Sequence, residues 1–340
     1  MRAWWRPWLG AMVLLFAVVM QGTVAESQAW QKMEPAAAGW SVERLDAARA
    51  YADTLHPTAV MIVQDGKAVA EWGDVRRKVN VASVRKSLLS ALFGIAIAEG
   101  RIDPGRTLAE LGIDDKPPAL TAAEKRATVR DLLMARSGVY HPAAYETGDM
   151  KRKRPARESH APGTFWFYNN WDFNALGTIY REQTGEDIFG SFERRIAGPV
   201  GMEDFSAGDG TYVLERASIH PAYPFSMSAR DAARFGQLFL DGGAWRGRQV
   251  VPAAWVREST AAYSHTKRGN LGYGYLWWTL RPDVFGPGAI LASGYGGQMI
   301  AVLPAKRLVV TQTSTPNRNS GRIRTSHFVE LLKKIAGAAP

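Results

Sequence analysis

Ser83-Val84-Arg85-Lys86 sets a hydroxyl and an amine three residues apart, which on a helix is one turn and brings both to the same face. At that spacing the amine can take the hydroxyl's proton and turn the serine into a nucleophile. The pattern alone is weak, because 18 serines and 12 lysines in 340 residues supply about 0.6 Ser-x-x-Lys matches by chance. A second match, Ser264-His265-Thr266-Lys267, stands in a polar segment before Arg268-Gly269-Asn270 with no apolar helix behind it, and is set aside. Ser83 differs in its surroundings. It follows a β-rich stretch and a loop, and it precedes the apolar run LLSALFGIAIA at 88–98, which reads as a buried helix. The serine then falls at a helix N-terminus, where the backbone dipole favours developing negative charge. The plainer alternative is an N-cap serine beside an exposed lysine.

Two further groups bear on the same chemistry. Tyr168-x-Asn170 closes an aromatic run just before a helical pattern. A tyrosine phenol shuttles a proton when a nearby cation lowers its pKa, and an asparagine side chain orients an amide or ester carbonyl. Ser293-Gly294-Tyr295-Gly296-Gly297-Gln298 leads into a strand, and its glycines allow close approach of a ligand to the strand edge. A backbone N–H on that edge, together with the N–H of Ser83, makes an oxyanion hole for a tetrahedral intermediate. Taken singly, the first group is also an aromatic core loop and the second a plain turn.

In this order and setting the three groups resemble the serine β-lactamase and penicillin-binding superfamily, whose signature includes Ser-x-x-Lys. The likeness spans about residues 42 to 337, and 131–139, 228–236 and 272–278 look like the same family. Tyr-x-Asn is similar to the branch of class C β-lactamases, family VIII esterases and 6-aminohexanoate-dimer hydrolases. The resemblance implies that Ser83 is acylated, that Lys86 and Tyr168 share the base and acid roles, and that Asn170 lines the substrate site. It also implies Gln298 as donor of the second oxyanion N–H, with Tyr295 and Gly297 at the same edge. Tyr295-Gly296-Gly297 stands where β-lactamases and D-alanyl-D-alanine peptidases carry Lys or His before Thr/Ser-Gly. The missing cation turns the expectation from β-lactams towards carboxylic esters or linear amides. No metal or organic cofactor is implied, and the partner is a small ester or amide.

These residues need elements to hold them. Apolar spacing predicts a helix from Val42, and a β-hairpin turns at Asp65-Gly66. Short β-like runs recur at 289–292, 298–303 and 308–313, before a final helix with Phe328, Leu331, Leu332 and Ile335 on one face. Between the ends the patterns are mostly helical, at 88–99, 129–135, 173–184, 188–196 and 229–240. The expected fold is therefore α/β (α+β), β-lactamase/transpeptidase-like. An antiparallel sheet built from both chain ends (42–82 and 286–340) is flanked by helices, with a mainly helical lobe inserted at 83–285.

Composition narrows the function classes. The chain is 46% hydrophobic with 22% charged residues, an ordinary globular balance. Arg2 and Arg6, the apolar run LGAMVLLFAVVM at 9–20 and small residues up to Ala25 form a secretory signal peptide, cleaved after Ala25, with 26–41 a lead-in segment. The expectation is a periplasmic or secreted protein with no stable membrane insertion after cleavage. Loss of those two arginines lowers the formal charge of +10 by two. The absence of cysteine excludes thiol catalysis and disulfides. The densest basic run, Lys151 to Arg157, has no interleaved aromatics and reads as a solvated loop, so no nucleic-acid partner is expected. No Gly-x-Ser-x-Gly elbow and no His-Glu-x-x-His spacing occurs, which argues against an α/β-hydrolase and a zinc peptidase. His141 is expected to be structural. The rival from another class is a non-catalytic binding or regulatory module on this fold.

Overall fold

The computed structural model describes residue 1, residues 29–315 and residues 322–340, so the expected signal segment 1–25 lies, Met1 apart, outside the described residues. Helix α1 (Val42–Leu55) starts at Ser41, whose hydroxyl accepts from Arg44 N, and leads into strands β1 (Ala59–Gln64) and β2 (Lys67–Gly73). Asp65 and Gly66 join them with φ of 47° and 73°, the pair of positive values that a two-residue hairpin demands. Helices α2 (Arg85–Ala98), α3 (Asn170–Thr184) and α4 (Ala229–Leu240) follow. The chain then returns to the sheet through β3 (Ser264–His265), β4 (Gly272–Tyr273) and β5 (Trp278–Thr279). Strands β6 (Ile290–Gly294), β7 (Gln298–Leu303) and β8 (Leu308–Thr313) and helix α5 (Thr325–Ala338) complete it.

The eight strands form one sheet in the order β2-β1-β8-β7-β6-β5-β4-β3, antiparallel at each pairing. Strand β1 from the N-terminal side lies against β8 from the C-terminal side, in register from Ala59↔Thr313 to Gln64↔Leu308. Every residue of β1, β7 and β8 is buried, which requires cover on both faces. Helix α4 supplies one cover, its Gly236 set so close to Val309 and Ile300 that no side chain fits between. The paired terminal helices α1 and α5 supply the other, with Phe328, Leu331, Leu332 and Ile335 fully buried.

The sheet runs past the expected boundary at residue 286. Strands β3 to β5 come from the 83–285 segment, and so does the covering helix α4. Each of those three strands is two residues long, too short for a period-2 pattern to register. Helix α2 is buried over almost its whole length. Its Ser87 and Ser90 hydroxyls donate to the carbonyls of Leu276 and Tyr275 at 2.8 Å, fastening the helix to the link between β4 and β5. Among the described residues no helix is long and apolar enough to cross a membrane.

Candidate active site

Ser83 sits in a 3-10 turn, Ala82–Val84, that runs directly into α2. The turn is strained at Ala82, where φ is +48°. It is held on both sides: Asn80 Oδ1 accepts from Ala82 N at 2.8 Å, and Val81 N donates to the Phe225 carbonyl at 2.9 Å. Lys86 is one turn on and 2% exposed. Its Nζ hydrogen-bonds Ser83 Oγ at 2.8 Å and lies 4.9 Å from the Tyr168 ring centre and 4.8 Å from that of Phe173. Burial lowers the Lys86 pKa well below that of a free lysine, and the like charges of Arg85 and Arg268 lower it further. That bias towards the neutral amine equips Lys86 to take a proton from the serine.

Tyr168 closes the other side of Ser83. Its ring stacks on Trp278 at 5.5 Å and tilts against Phe173 at 4.9 Å. Burial raises the phenol pKa, while contact with the Ser83 hydroxyl and the charges of Arg85 and Arg268 act the other way; the net direction is up. The cations expected to activate the phenol are therefore present, but burial outweighs them, and Tyr168 stays protonated until strongly alkaline pH. It can pass a proton on, and it is not a resting base.

Asn170 begins α3 beneath this pair. Its amide donates to the Tyr145 carbonyl at 2.7 Å, while Oδ1 is buried without a partner. It is not among the residues that line the cleft. Its neighbour Asn169 caps α3 and donates to the Val139 carbonyl at 2.6 Å and to Asp172 Oδ1 at 2.8 Å. Ser137 Oγ donates to the same carboxyl oxygen at 2.5 Å, and burial pushes the Asp172 pKa well up. This knot of Ser137, Asn169 and Asp172 locks the Tyr168-Asn170 corner to the 137–139 loop. Sequence reasoning missed it; Ser137-Gly138 and Asn169 beside Tyr168 were its faint signal.

The glycine-rich edge is arranged differently from expectation. Strand β6 lies against the Ser83 turn, and a Cβ on Gly294 would collide with the Val81 carbonyl oxygen and stand 3.2 Å from Ser83 N. Tyr295-Gly296-Gly297 is the turn between β6 and β7, not part of that edge. Within the turn Gly297 N donates to the Gly294 carbonyl at 3.4 Å. In a trans peptide the next N–H points opposite to the carbonyl, so Tyr295 N–H faces away from β7, on the Ser83 side. Gln298, expected to give its backbone N–H to the oxyanion, pairs instead with Gly294 in the β6–β7 ladder and does not line the cleft. Its side chain is 2% exposed and is spent on Ser314, donating to the carbonyl at 2.5 Å and accepting from the N–H at 3.1 Å. Gly297, with φ of +103°, packs on Ile323 and does not line the cleft either.

The cleft over Ser83 holds about 910 Å³. Trp278, Leu280, Phe285, Ile323 and the half-exposed Tyr295 give it apolar walls. Trp166 packs behind Trp278, and Trp277 is buried between Phe235 and Phe239, so neither belongs to the cleft surface. Arg268 enters from the 266–271 loop, 5.2 Å from the Tyr168 ring centre, a cation no motif pointed to. The basic 151–157 run is part helix (Gly148–Lys153), with Arg152 and Lys153 on the cleft rim. Arg154 and Arg157 turn inward to Glu146 and Glu124. His141 is buried 3.5 Å from Glu124, away from the cleft.

The Beta-lactamase family model matches residues 46–331. The chain is similar to a 6-aminohexanoate-dimer hydrolase of Paenarthrobacter ureafaciens, 23% identical over 88% of this chain and 85% of that protein. A solved family VIII carboxylesterase superposes with a TM-score of 0.66 at 18% identity, covering 92% of this chain and 99% of the other. A class C beta-lactamase superposes with a TM-score of 0.60 at 16% identity, covering 87% and 96%.

Proposed function

This chain belongs to the Beta-lactamase family and is a serine hydrolase, and we propose that it cleaves carboxylic ester or linear amide bonds through an acyl-enzyme on Ser83. The observation that carries the reading is the buried Lys86 amine, 2.8 Å from Ser83 Oγ and biased towards its neutral form. In the proposed reaction Ser83 Oγ attacks the carbonyl carbon and its proton passes to Lys86. The oxyanion rests on the N–H groups of Ser83 and Tyr295. As the intermediate collapses, the Tyr168 hydroxyl hands a proton to the leaving alcohol or amine and recovers one from Lys86. Water then attacks the acyl-enzyme by the reverse relay, releasing the carboxylic acid and restoring Ser83.

The apolar walls of the cleft suit an aliphatic or aromatic substrate arm. The relative named for the 6-aminohexanoate dimer supports a linear amide as one substrate, and the carboxylesterase neighbour supports esters. A second reading, β-lactam hydrolysis or D-alanyl-D-alanine cleavage, is favoured by Arg268, which offers a carboxylate the cation that Tyr295 does not. The leader at 1–25 supports export to the periplasm or the medium. The test compares p-nitrophenyl butyrate, nitrocefin and the 6-aminohexanoate dimer on the wild type and on Ser83→Ala. We expect ester or dimer turnover to lead, and the variant to lose about a thousandfold or more. Wild-type turnover by Ser83→Ala sinks the acyl-enzyme, and nitrocefin leading the panel selects the second reading.

A further inference from the structure

Arg85 has no exposed surface. Its Nη2 donates to Asn174 Oδ1 at 3.1 Å, while Nε and Nη1 are buried without partners. The guanidinium lies 4.2 Å from the ring centre of Tyr223 and 5.9 Å from that of Tyr145. Its neighbours are thus a neutral amide and two phenol rings, and none of these cancels its charge. A guanidinium does not give up its proton in proteins, so this charge is permanent. Burying a cation with no counter-ion works against stability, and the Asn174 amide and the Tyr223 ring offset only part of that cost.

We propose that Arg85 is a positioning residue for the reaction: clamped by Asn174 and Tyr223 next to Lys86, its fixed charge keeps the Lys86 amine free of a proton and ready to act as base. The proposal rests on the hydrolase reading of Ser83 and Lys86. Both side chains bury against the first turns of α3, Lys86 over the Phe173 ring and Arg85 on the next residue, Asn174; two cations in one buried site repel, and only Lys86 can relieve the repulsion by losing its proton. Among the described residues, the groups that touch Lys86 carry no counter-charge. The Ser83 hydroxyl and the Tyr168 ring face it, and Arg268 adds a second positive charge from the 266–271 loop. Tyr223 and Tyr273 are phenols that burial holds protonated, and the carboxyl of Asp172 in the first turn of α3 is pushed towards its neutral form.

The test follows kcat/KM for p-nitrophenyl butyrate, an uncharged ester, from pH 5 to 9 in the wild type, Arg85→Gln and Asn174→Asp. The second variant leaves Arg85 in place and sets a carboxylate against its guanidinium, so it reports on the charge even where Arg85→Gln fails to fold. Both variants are expected to move the acid limb of the profile upward by about one pH unit, a tenfold loss on the acid side that alkaline pH restores. A limb that stays within a few tenths of a unit in a folded variant overturns the proposal. So does an equal loss at every pH, the mark of a structural role alone. If wild-type Ser83 takes up no fluorophosphonate label, the hydrolase reading falls first and takes this proposal with it.

Discussion

Folding disfavours the ammonium form of Lys86, which the unfolded chain holds without penalty. Because its folded pKa lies well below the ordinary 10.5, the unfolded state binds more protons between those two values. Stability therefore rises with pH across that window, and below it the full penalty applies. Replacing Lys86 by Met removes the cost and keeps the volume. We expect Lys86→Met to melt higher than the wild type at pH 7, by about 2 °C or more, and to lose the pH slope. Its kcat should fall by about a hundredfold or more. Calorimetry from pH 6 to 10 checks the first half, and a lower melting point contradicts it. Ser83, Lys86 and Tyr168 were legible because two of them share a helical turn and the third stands in a recognisable corner. Arg268 was not, since it reaches the cleft from a polar loop through tertiary folding. Nor was the Tyr295 N–H, whose direction belongs to a turn and not to a side chain.

At the scale of elements, the site is a seam between the Ser83 turn and strand β6. Gly294 makes the seam possible, because any side chain there meets the backbone of Val81. Backbone cannot rotate aside as a flexible side chain can, so relief must come from moving the turn and with it Ser83. Gly294→Ala is expected to cost about a hundredfold in kcat/KM, with only a few degrees lost in melting temperature. An unchanged rate would show that the seam is looser than described. The elements that make the seam were readable to different degrees. Helices Val42–Leu55 and Ala229–Leu240 and the hairpin at Asp65-Gly66 carry long or strong patterns and appear where expected. Helix α3 begins at Asn170, ahead of the apolar pattern at 173, because Asn169 caps it with its own side chain.

At the scale of the whole molecule, the formal charge of +10 is unevenly spread. Seven basic and two acidic side chains line the cleft. Asp149 pairs with Arg152 and Lys153, Glu330 with Lys333, and Arg281 with Asp283. Arg268 and Arg322 instead lie over the Tyr168 and Tyr295 rings. Such a mouth draws anions from beyond contact range. We expect kcat/KM for a carboxylate-bearing ester to fall several-fold between 0.01 and 0.15 M salt, as the screening length shrinks from about 30 Å to about 8 Å. An uncharged analogue of equal length should hold steady, and equal slopes for the two would discount the steering. The sheet itself has a consequence in time. The serine and lysine are made early in synthesis, but the strand that leans on them, and the strand that closes β1 into the sheet, lie near the other end of the chain. The site therefore cannot assemble until the last strands of the chain have been made.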